Sequence, residues 1–191
     1  MLAPTELMSN KHKAFPFPDY DLALNELRRD YVYSKIDHSK EQEIVDMAWQ
    51  IGTTAARELK TKYNTPYDFR EIAKSVNLEI IDQDVDRVIG NHRFFSEYIT
   101  KQSKIFMYLK SIDQWALSNS LTQEQAYNLV LAHEFFHFLE YKKLGYTSKK
   151  VLVPIIKIGK FTFGKTGVRA LSEIAAHAFV YEIFTKGVQD E

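Results

Sequence analysis

The sequence of 191 residues contains no cysteine. Disulfide bonds, thiolate zinc sites, iron–sulfur clusters and cysteine nucleophiles are therefore excluded. A metal ion bound by this chain would have to use histidine, aspartate or glutamate side chains.

The chain also lacks an excess of charge, since 25 Lys and Arg residues offset 25 Asp and Glu residues. Net charge therefore gives no reason to expect attraction to nucleic acid or to anionic lipid. No apolar run approaches the roughly 20 residues that a membrane span needs. The first thirty residues lack the apolar segment of a secretory signal. We expect a cytoplasmic protein that binds neither membranes nor nucleic acid directly.

The composition, 45% apolar and 26% charged, is typical of one folded domain of this length. Prolines at positions 4, 16 and 18 bias their preceding residues away from helix. Residues 1–18 are therefore predicted to be an extended arm, which could contact the body through Phe15 and Phe17. Residues 19–191 are predicted to form a single domain.

Apolar residues at helical spacing predict six helices, and shorter apolar runs predict three strands. The predicted helices run from Tyr20 to Tyr33, from Ser39 to Tyr63, from Pro66 to Asn77, from Ser111 to Leu117, from Thr122 to Gly145 and from Val168 to Lys186. The predicted strands are Leu78–Ile81, His92–Ile99 and Ile105–Leu109, of which the last two form an antiparallel hairpin. Thr122 and Gln125 fit a capping box.

The helix after Thr122 contains the pattern HExxH, with His133, Glu134 and His137 at its fixed positions. Histidines at i and i+4 project from one helical face, so both imidazoles can bind a single zinc ion. Glu134 faces the same cavity and can act as a general base toward the attacking water. Apolar neighbours predict that the helix is buried, where unpaired polar side chains are costly.

Catalytic zinc usually has three protein ligands and keeps another position open. Glu173 is the predicted third ligand, because small apolar neighbours in the last helix allow two helices to approach closely. Glu140 is the nearest competitor, and its place near the helix exit indicates that it orients an imidazole or is solvated. A buried salt bridge is the alternative interpretation of Glu173.

His177 lies one turn after Glu173 and fits three roles. It could be a fourth zinc ligand, a hydrogen-bond donor to the transition state or a packed helix residue, and we favour the donor role. Tyr141 and Tyr181 are alternative donors, although aromatic packing explains both equally well.

Two interpretations without catalytic zinc stay open. His133 and His137 could be core histidines with separate hydrogen-bond partners. A di-iron bundle needs two Glu-x-x-His pairs on separate helices, and the last helix has the wrong spacing for the second pair.

Three segments resemble the ImmA/IrrE-type metallopeptidases, a gluzincin-like family, over about residues 48–184. NTPYDFREIA (64–73), followed by VNLEI (76–80), is similar to the opening helix and first strand of that family. LVLAHEFFH (129–137) is similar to its active-site helix, and EIAAHAFV (173–180) to its glutamate helix. Departures are His177, where the family usually has Asn, the lack of Leu-Met-Pro after the last helix, and a long connection between the two helices.

The resemblance implies a zincin-like, site-specific endopeptidase whose substrate is a helix-turn-helix transcriptional repressor of a phage, another mobile element or a stress response. The alternative is a non-proteolytic protein that zinc stabilises and that inactivates a repressor by binding it. A third possibility is a protease restrained by a partner or by its own amino-terminal arm.

The expected fold is α+β, with a small, mostly antiparallel three-stranded sheet packed on the HExxH helix and the glutamate helix, and with additional N-terminal helices. We expect the strand near His92–Ile99 to provide a sheet edge that pairs with an extended substrate. Phe94, Phe95 and Tyr98 would then shape pockets for substrate side chains.

Overall fold

A computed structural model describes residues 15–63, 68–158 and 161–185 of the chain. Within these ranges the architecture is mixed α+β, with helices and small sheets. Most of the predicted arm, residues 1–14, lies outside the described residues, as do residues 64–67 at the start of the third predicted helix and residues 186–191 at the end of the last.

Six α-helices form in the described ranges. They are α1 (Tyr20–Arg28), α2 (Glu41–Lys62), α3 (Phe69–Ser75), α4 (Leu109–Asn119), α5 (Gln123–Leu139) and α6 (Ala170–Thr185). The predicted capping box is confirmed, since the Thr122 and Gln125 side chains each bond the backbone N–H of the other residue. After Leu139 the chain continues as a π-helical turn (Glu140–Leu144), which Gly145 follows.

Three predicted helix starts or ends are wrong. The first helix ends at Arg28 rather than Tyr33, because the Asp30 carboxylate accepts a hydrogen bond from the Val32 N–H and holds the chain in a turn. Ser39 lies in a 3₁₀ turn before α2 and does not cap that helix. Ser111 lies inside α4, where its hydroxyl donates to Asp86, so it does not cap that helix either.

The strands of the described ranges form one three-stranded sheet and two ribbons. They are β1 (Glu79–Gln83), β2 (Arg87–Ile89), β3 (His92–Phe94), β4 (Ser96–Ile99), β5 (Lys104–Tyr108), β6 (Leu152–Ile158) and β7 (Phe161–Gly167). The sheet has the order β1-β5-β4, with β1 parallel and β4 antiparallel to β5. It is therefore mixed rather than mostly antiparallel, and β4 is an edge strand.

The predicted strand His92–Ile99 is wrong in its first half. His92–Phe94 pairs with Arg87–Ile89 as a separate exposed ribbon, and only Ser96–Ile99 pairs with β5. Asp86 explains the separation, because its carboxylate accepts hydrogen bonds from Arg93 and from α4 and so holds the ribbon beside that helix. The predicted hairpin is thus confirmed only from Ser96 onward.

Helix α6 forms the centre of the helical layer, in contact with α1, α2 and α5. It carries buried apolar residues on all sides, and α5 has a similar character. Aromatic rings of α3, α5 and α6 join the largest apolar cluster, which includes Phe69, Phe135 and Phe179. None of the described helices is both long and apolar enough to cross a membrane.

Gly52 allows α2 to approach α6 closely. A Cβ atom at this position would lie 2.0 Å from the Ala175 carbonyl oxygen and 2.8 Å from the Ala178 Cβ. We predict that Gly52→Ala lowers the free energy of unfolding by about 1–3 kcal/mol or more, because the helices must separate. Urea denaturation measures this change.

Thr54→Ala, at an exposed position of the same helix, is the matched control and should change stability by about 0.5 kcal/mol or less. Equal stability of Gly52→Ala and the control would contradict the close approach.

Candidate metal centre

The three predicted zinc ligands come together between α5 and α6. The Nε2 atoms of His133 and His137 are 3.2 Å apart. One carboxylate oxygen of Glu173 lies 3.3 Å from His133 Nε2, and the other lies 3.7 Å from His137 Nε2. The i, i+4 spacing on α5 and the contact between the two helices produce this convergence.

His177 belongs to the same cluster. Its ring centroid lies 5.3 Å from that of His133. Ligand atoms of His133, Glu173 and His177 all lie within 4.8 Å of one another, which allows this trio to hold a metal ion. The cluster therefore consists of three imidazoles around one carboxylate, and His177 lies close enough to His133 and Glu173 to share an ion with them.

The cluster has the properties of a cation site. His133 and His177 each have a buried Nδ1 atom without a hydrogen-bond partner among the described residues. The facing Nε2 atoms of His133 and His137 need either a shared proton or a cation between them. Imidazole nitrogen and carboxylate oxygen are ligands that zinc prefers. The residues present therefore fit a zinc ion held by His133, His137 and Glu173.

Glu140 orients the His137 imidazole through Nδ1, the ring nitrogen that does not face His133. Its side chain is 1% exposed, and one carboxylate oxygen lies 3.0 Å from His137 Nδ1. The other oxygen accepts hydrogen bonds from the Thr147 N–H at 2.7 Å and the Ser172 hydroxyl at 2.9 Å. A proton on Nδ1 leaves the Nε2 lone pair facing the cluster. Of the two predicted roles of Glu140, orientation agrees with this geometry, whereas solvation is wrong.

The ionisation of the cluster follows from burial and neighbouring charge. Burial opposes the charged form of His137, but the Glu140 hydrogen bond and the surrounding carboxylates raise its pKa to about 9. Burial opposes ionisation of Glu173, but the hydrogen bond and charge of His133 lower its pKa to about 2. Burial and the charge of His133 lower the pKa of His177 to about 3. At neutral pH and without a metal ion, the cluster therefore has an anionic Glu173, a protonated His137 and a neutral His177. A metal ion bound to His137 would take the place of the Nε2 proton, while Glu140 keeps the proton on Nδ1.

Glu134 lies beside the cluster and is nearly buried. Its carboxylate accepts a hydrogen bond of 2.7 Å from the hydroxyl of Ser96, on the edge strand β4. This bond fixes the carboxylate while leaving its other oxygen available. The sequence pattern did not identify Ser96, because a serine in a short strand carries no signal of this contact.

Two cavities reach the cluster from different sides. The first, of 410 Å³, is lined mainly by aromatic and apolar side chains in addition to His133, Glu134, Glu173 and His177. The second, of 320 Å³, is lined by polar side chains that include Tyr98, Glu140 and Arg169. A molecule can therefore approach the cluster from outside.

The structure does not bring the predicted tyrosine donors into these cavities. Tyr141 is 41% exposed and packs beside Tyr146. Tyr181 packs against Phe15 and Trp49. Neither tyrosine lines the two cavities of the described chain, whereas His177 lines the first of them.

Comparisons with known proteins add no relatives. No family model matches the sequence, and searches of curated proteins and of solved structures found no match. The resemblance to ImmA/IrrE-type metallopeptidases stays a prediction from the sequence.

The Glu140 network gives a prediction that does not involve a metal. Glu140→Ala leaves the Thr147 N–H and the Ser172 hydroxyl without their buried acceptor. The free energy of unfolding of the metal-free protein should fall by at least about 2 kcal/mol, since each such group costs about 1–3 kcal/mol. Thermal and urea unfolding measure the change.

The control is Glu124→Ala, an exposed glutamate in the first turn of α5, the helix that Glu140 follows. Its effect should be about 1 kcal/mol or less. If both variants unfolded alike, the buried network would not stabilise the fold.

Proposed function

We propose that this chain is a zinc-dependent, site-specific endopeptidase. One observation carries the proposal: His133, His137 and Glu173 converge within 3.7 Å of one another, and Glu134 lies beside them with its carboxylate hydrogen-bonded. Two further features support the proposal, the apolar surroundings of the two helices and the cavities that open onto the cluster.

The ligands and the base have separate tasks in this proposal. His133, His137 and Glu173 hold zinc, and Glu140 keeps the Nε2 of His137 available as a ligand atom. Zinc, when bound, supplies a Lewis acid that polarises the scissile carbonyl and makes water more acidic. Glu134 accepts the proton of the attacking water and passes it to the leaving amine. The Ser96 hydroxyl orients the Glu134 carboxylate for both transfers.

His177 serves as the donor to the developing oxyanion. The lowered pKa of its imidazole keeps the ring neutral at neutral pH, and a neutral imidazole still has one N–H to donate. A preorganised donor of this kind stabilises charge that develops only in the transition state.

The edge strand β4 provides a place for a peptide substrate to bind. The Tyr108 N–H donates to the Phe95 carbonyl, and in an antiparallel pair the inward groups alternate along the strand. Backbone groups of Ser96 and Tyr98 should therefore face the free edge. An extended peptide can pair with this edge as an added strand, beside Glu134. Strand addition of this kind is a common way for proteins to bind peptides.

The substrate class rests on the resemblance alone. We propose a helix-turn-helix transcriptional repressor of a mobile element or stress response, cleaved in the cytoplasm.

The second candidate function is a zinc-stabilised protein that binds a repressor without cutting it. The position of His177 in the cluster favours this candidate, because four protein ligands would close the zinc coordination as in a structural site. The presence of Glu134 beside the cluster favours the peptidase, since a structural zinc site needs no general base.

Two substitutions separate ligand from base. Glu173→Ala removes a ligand, so zinc content and thermal stability should both fall. Glu134→Gln keeps the size of the side chain and removes no ligand, so zinc content and melting temperature should stay near wild type. Turnover of a co-encoded repressor should fall by about 10² to 10⁴ in Glu134→Gln.

Elemental analysis, thermal unfolding and a cleavage assay make these measurements, with His133→Ala as the reference for zinc loss. Cleavage at the wild-type rate by Glu134→Gln, or zinc loss as complete as in Glu173→Ala, would overturn the assignment of roles.

His177→Asn distinguishes the two candidate functions. If His177 is a donor to an open site, the variant should retain zinc and lose about 10²- to 10³-fold in turnover, the usual effect of one lost oxyanion donor. Zinc titration and the cleavage assay together measure both properties. A loss of zinc affinity like that of Glu173→Ala would instead indicate a closed site and favour the non-proteolytic function.

A further inference from the structure

Phe17 covers the metal cluster with its ring. The ring stacks on His133 at a centroid distance of 5.7 Å and an interplanar angle of 26°. It also contacts His177 at 5.7 Å and packs edge-on against Trp115 of α4 at 5.3 Å. An aromatic side chain of the chain itself therefore lies against two residues of the cluster.

The segment that carries Phe17 is held by rings rather than by backbone. Residues 15–18 form no helix or strand, and among the described residues no backbone hydrogen bond joins them to the body. Pro16 and Pro18 have no N–H to donate, and none of the described backbone hydrogen bonds pairs the segment with β4. Phe15 and Phe17 are only partly buried. Such a segment can leave without breaking any hydrogen-bonded element.

The surface under Phe17 is built for an aromatic side chain. Trp115 contacts Phe95 at 5.6 Å, and both line the 410 Å³ cavity, of which Phe17 itself forms part of the wall. The cavity is continuous with Glu134, His133 and Glu173. The same cavity is thus lined both by residues of the cluster and by aromatic side chains. This arrangement, an apolar pocket with a few convergent polar groups, is typical of a ligand site.

We infer that the aromatic pocket formed by Trp115 and the His133 and His177 rings is a substrate subsite for an aromatic side chain. Phe17 occupies this pocket in the resting chain, beside the open cavity that Phe95 lines. The description of the pocket as a substrate subsite rests on the proposed function. A substrate segment displaces Phe17 and places its own aromatic residue next to the general base. The arm thus competes with the substrate and raises the concentration that the substrate needs for binding.

The test measures peptide binding to the full-length protein by calorimetry, both with zinc added and after chelation. One synthetic peptide has the sequence of residues 13–20, and the second differs only by alanine in place of its second phenylalanine, which corresponds to Phe17. Phe17→Ala should bind the first peptide about tenfold or more tightly than wild type, because the competing ring is gone. It should bind the second peptide at least about tenfold less tightly than the first.

Three further variants make the result specific. Phe17→Tyr keeps the ring and should behave as wild type. Phe161→Ala removes a phenylalanine that is 70% exposed on β7, and it too should behave as wild type. Trp115→Leu removes the pocket wall while leaving the arm sequence intact, so it should lose the preference between the two peptides even if Phe17→Ala folds poorly.

Equal affinity of wild type and Phe17→Ala for the first peptide, or equal affinity of Phe17→Ala for both peptides, would overturn the inference. Peptide binding measured after chelation does not depend on zinc, so failure of the inference can be distinguished from failure of the proposed function. Peptide discrimination in a protein that neither binds zinc nor cleaves would support the aromatic pocket and refute the peptidase. Zinc-dependent cleavage without peptide discrimination would support the peptidase and refute the pocket.

Discussion

The contact between α5 and α6 places three imidazoles and a carboxylate together in apolar surroundings, and the site depends on that contact. Ionisable groups in such surroundings are costly unless they are paired or bind a cation. Here Glu173 partly offsets the cost, because it lies within 3.7 Å of both α5 imidazoles. A divalent cation would satisfy the facing nitrogens that the carboxylate alone leaves unmatched. The helices and the cluster therefore constrain each other: their separation sets the ligand distances, and the ligands favour that separation.

A second layer of contacts keeps this arrangement in place. Glu140 connects α5 to the turn at Thr147 and to Ser172 at the start of α6. Gly167 enters the same region, since a Cβ atom there would lie 2.3 Å from the Ser148 carbonyl oxygen. The β6–β7 ribbon thus returns the chain to α6 through a close backbone approach. The connection between α5 and α6, the two helices that carry the cluster, is consequently part of the support for the site.

The sequence predicts those parts of the molecule whose cause is local. The i, i+4 histidines and the capping box at Thr122 are encoded within one helix, and both lie where the pattern placed them. The hairpin from Ser96 was predictable from two apolar runs and a turn. The β6–β7 ribbon was missed because Pro154 interrupts its first strand and exposed apolar residues occupy both strands. A strand with these features lacks the alternation of apolar and polar residues by which a half-buried strand is predicted.

The features that the sequence does not predict depend on contacts between distant segments. The Ser96 hydroxyl reaches Glu134 across 38 residues of sequence, and Asp30 binds the first N–H of α6 across 140 residues. A single serine or aspartate forms no sequence pattern from which such a distant partner could be predicted. The N-terminal phenylalanines differ, because two aromatic residues that alternate with Pro16 and Pro18 indicate an arm that packs against the body rather than lying in solvent. The sequence could therefore suggest that the arm packs somewhere, but only the fold brings His133, His177 and Trp115 together as the surface that Phe17 covers.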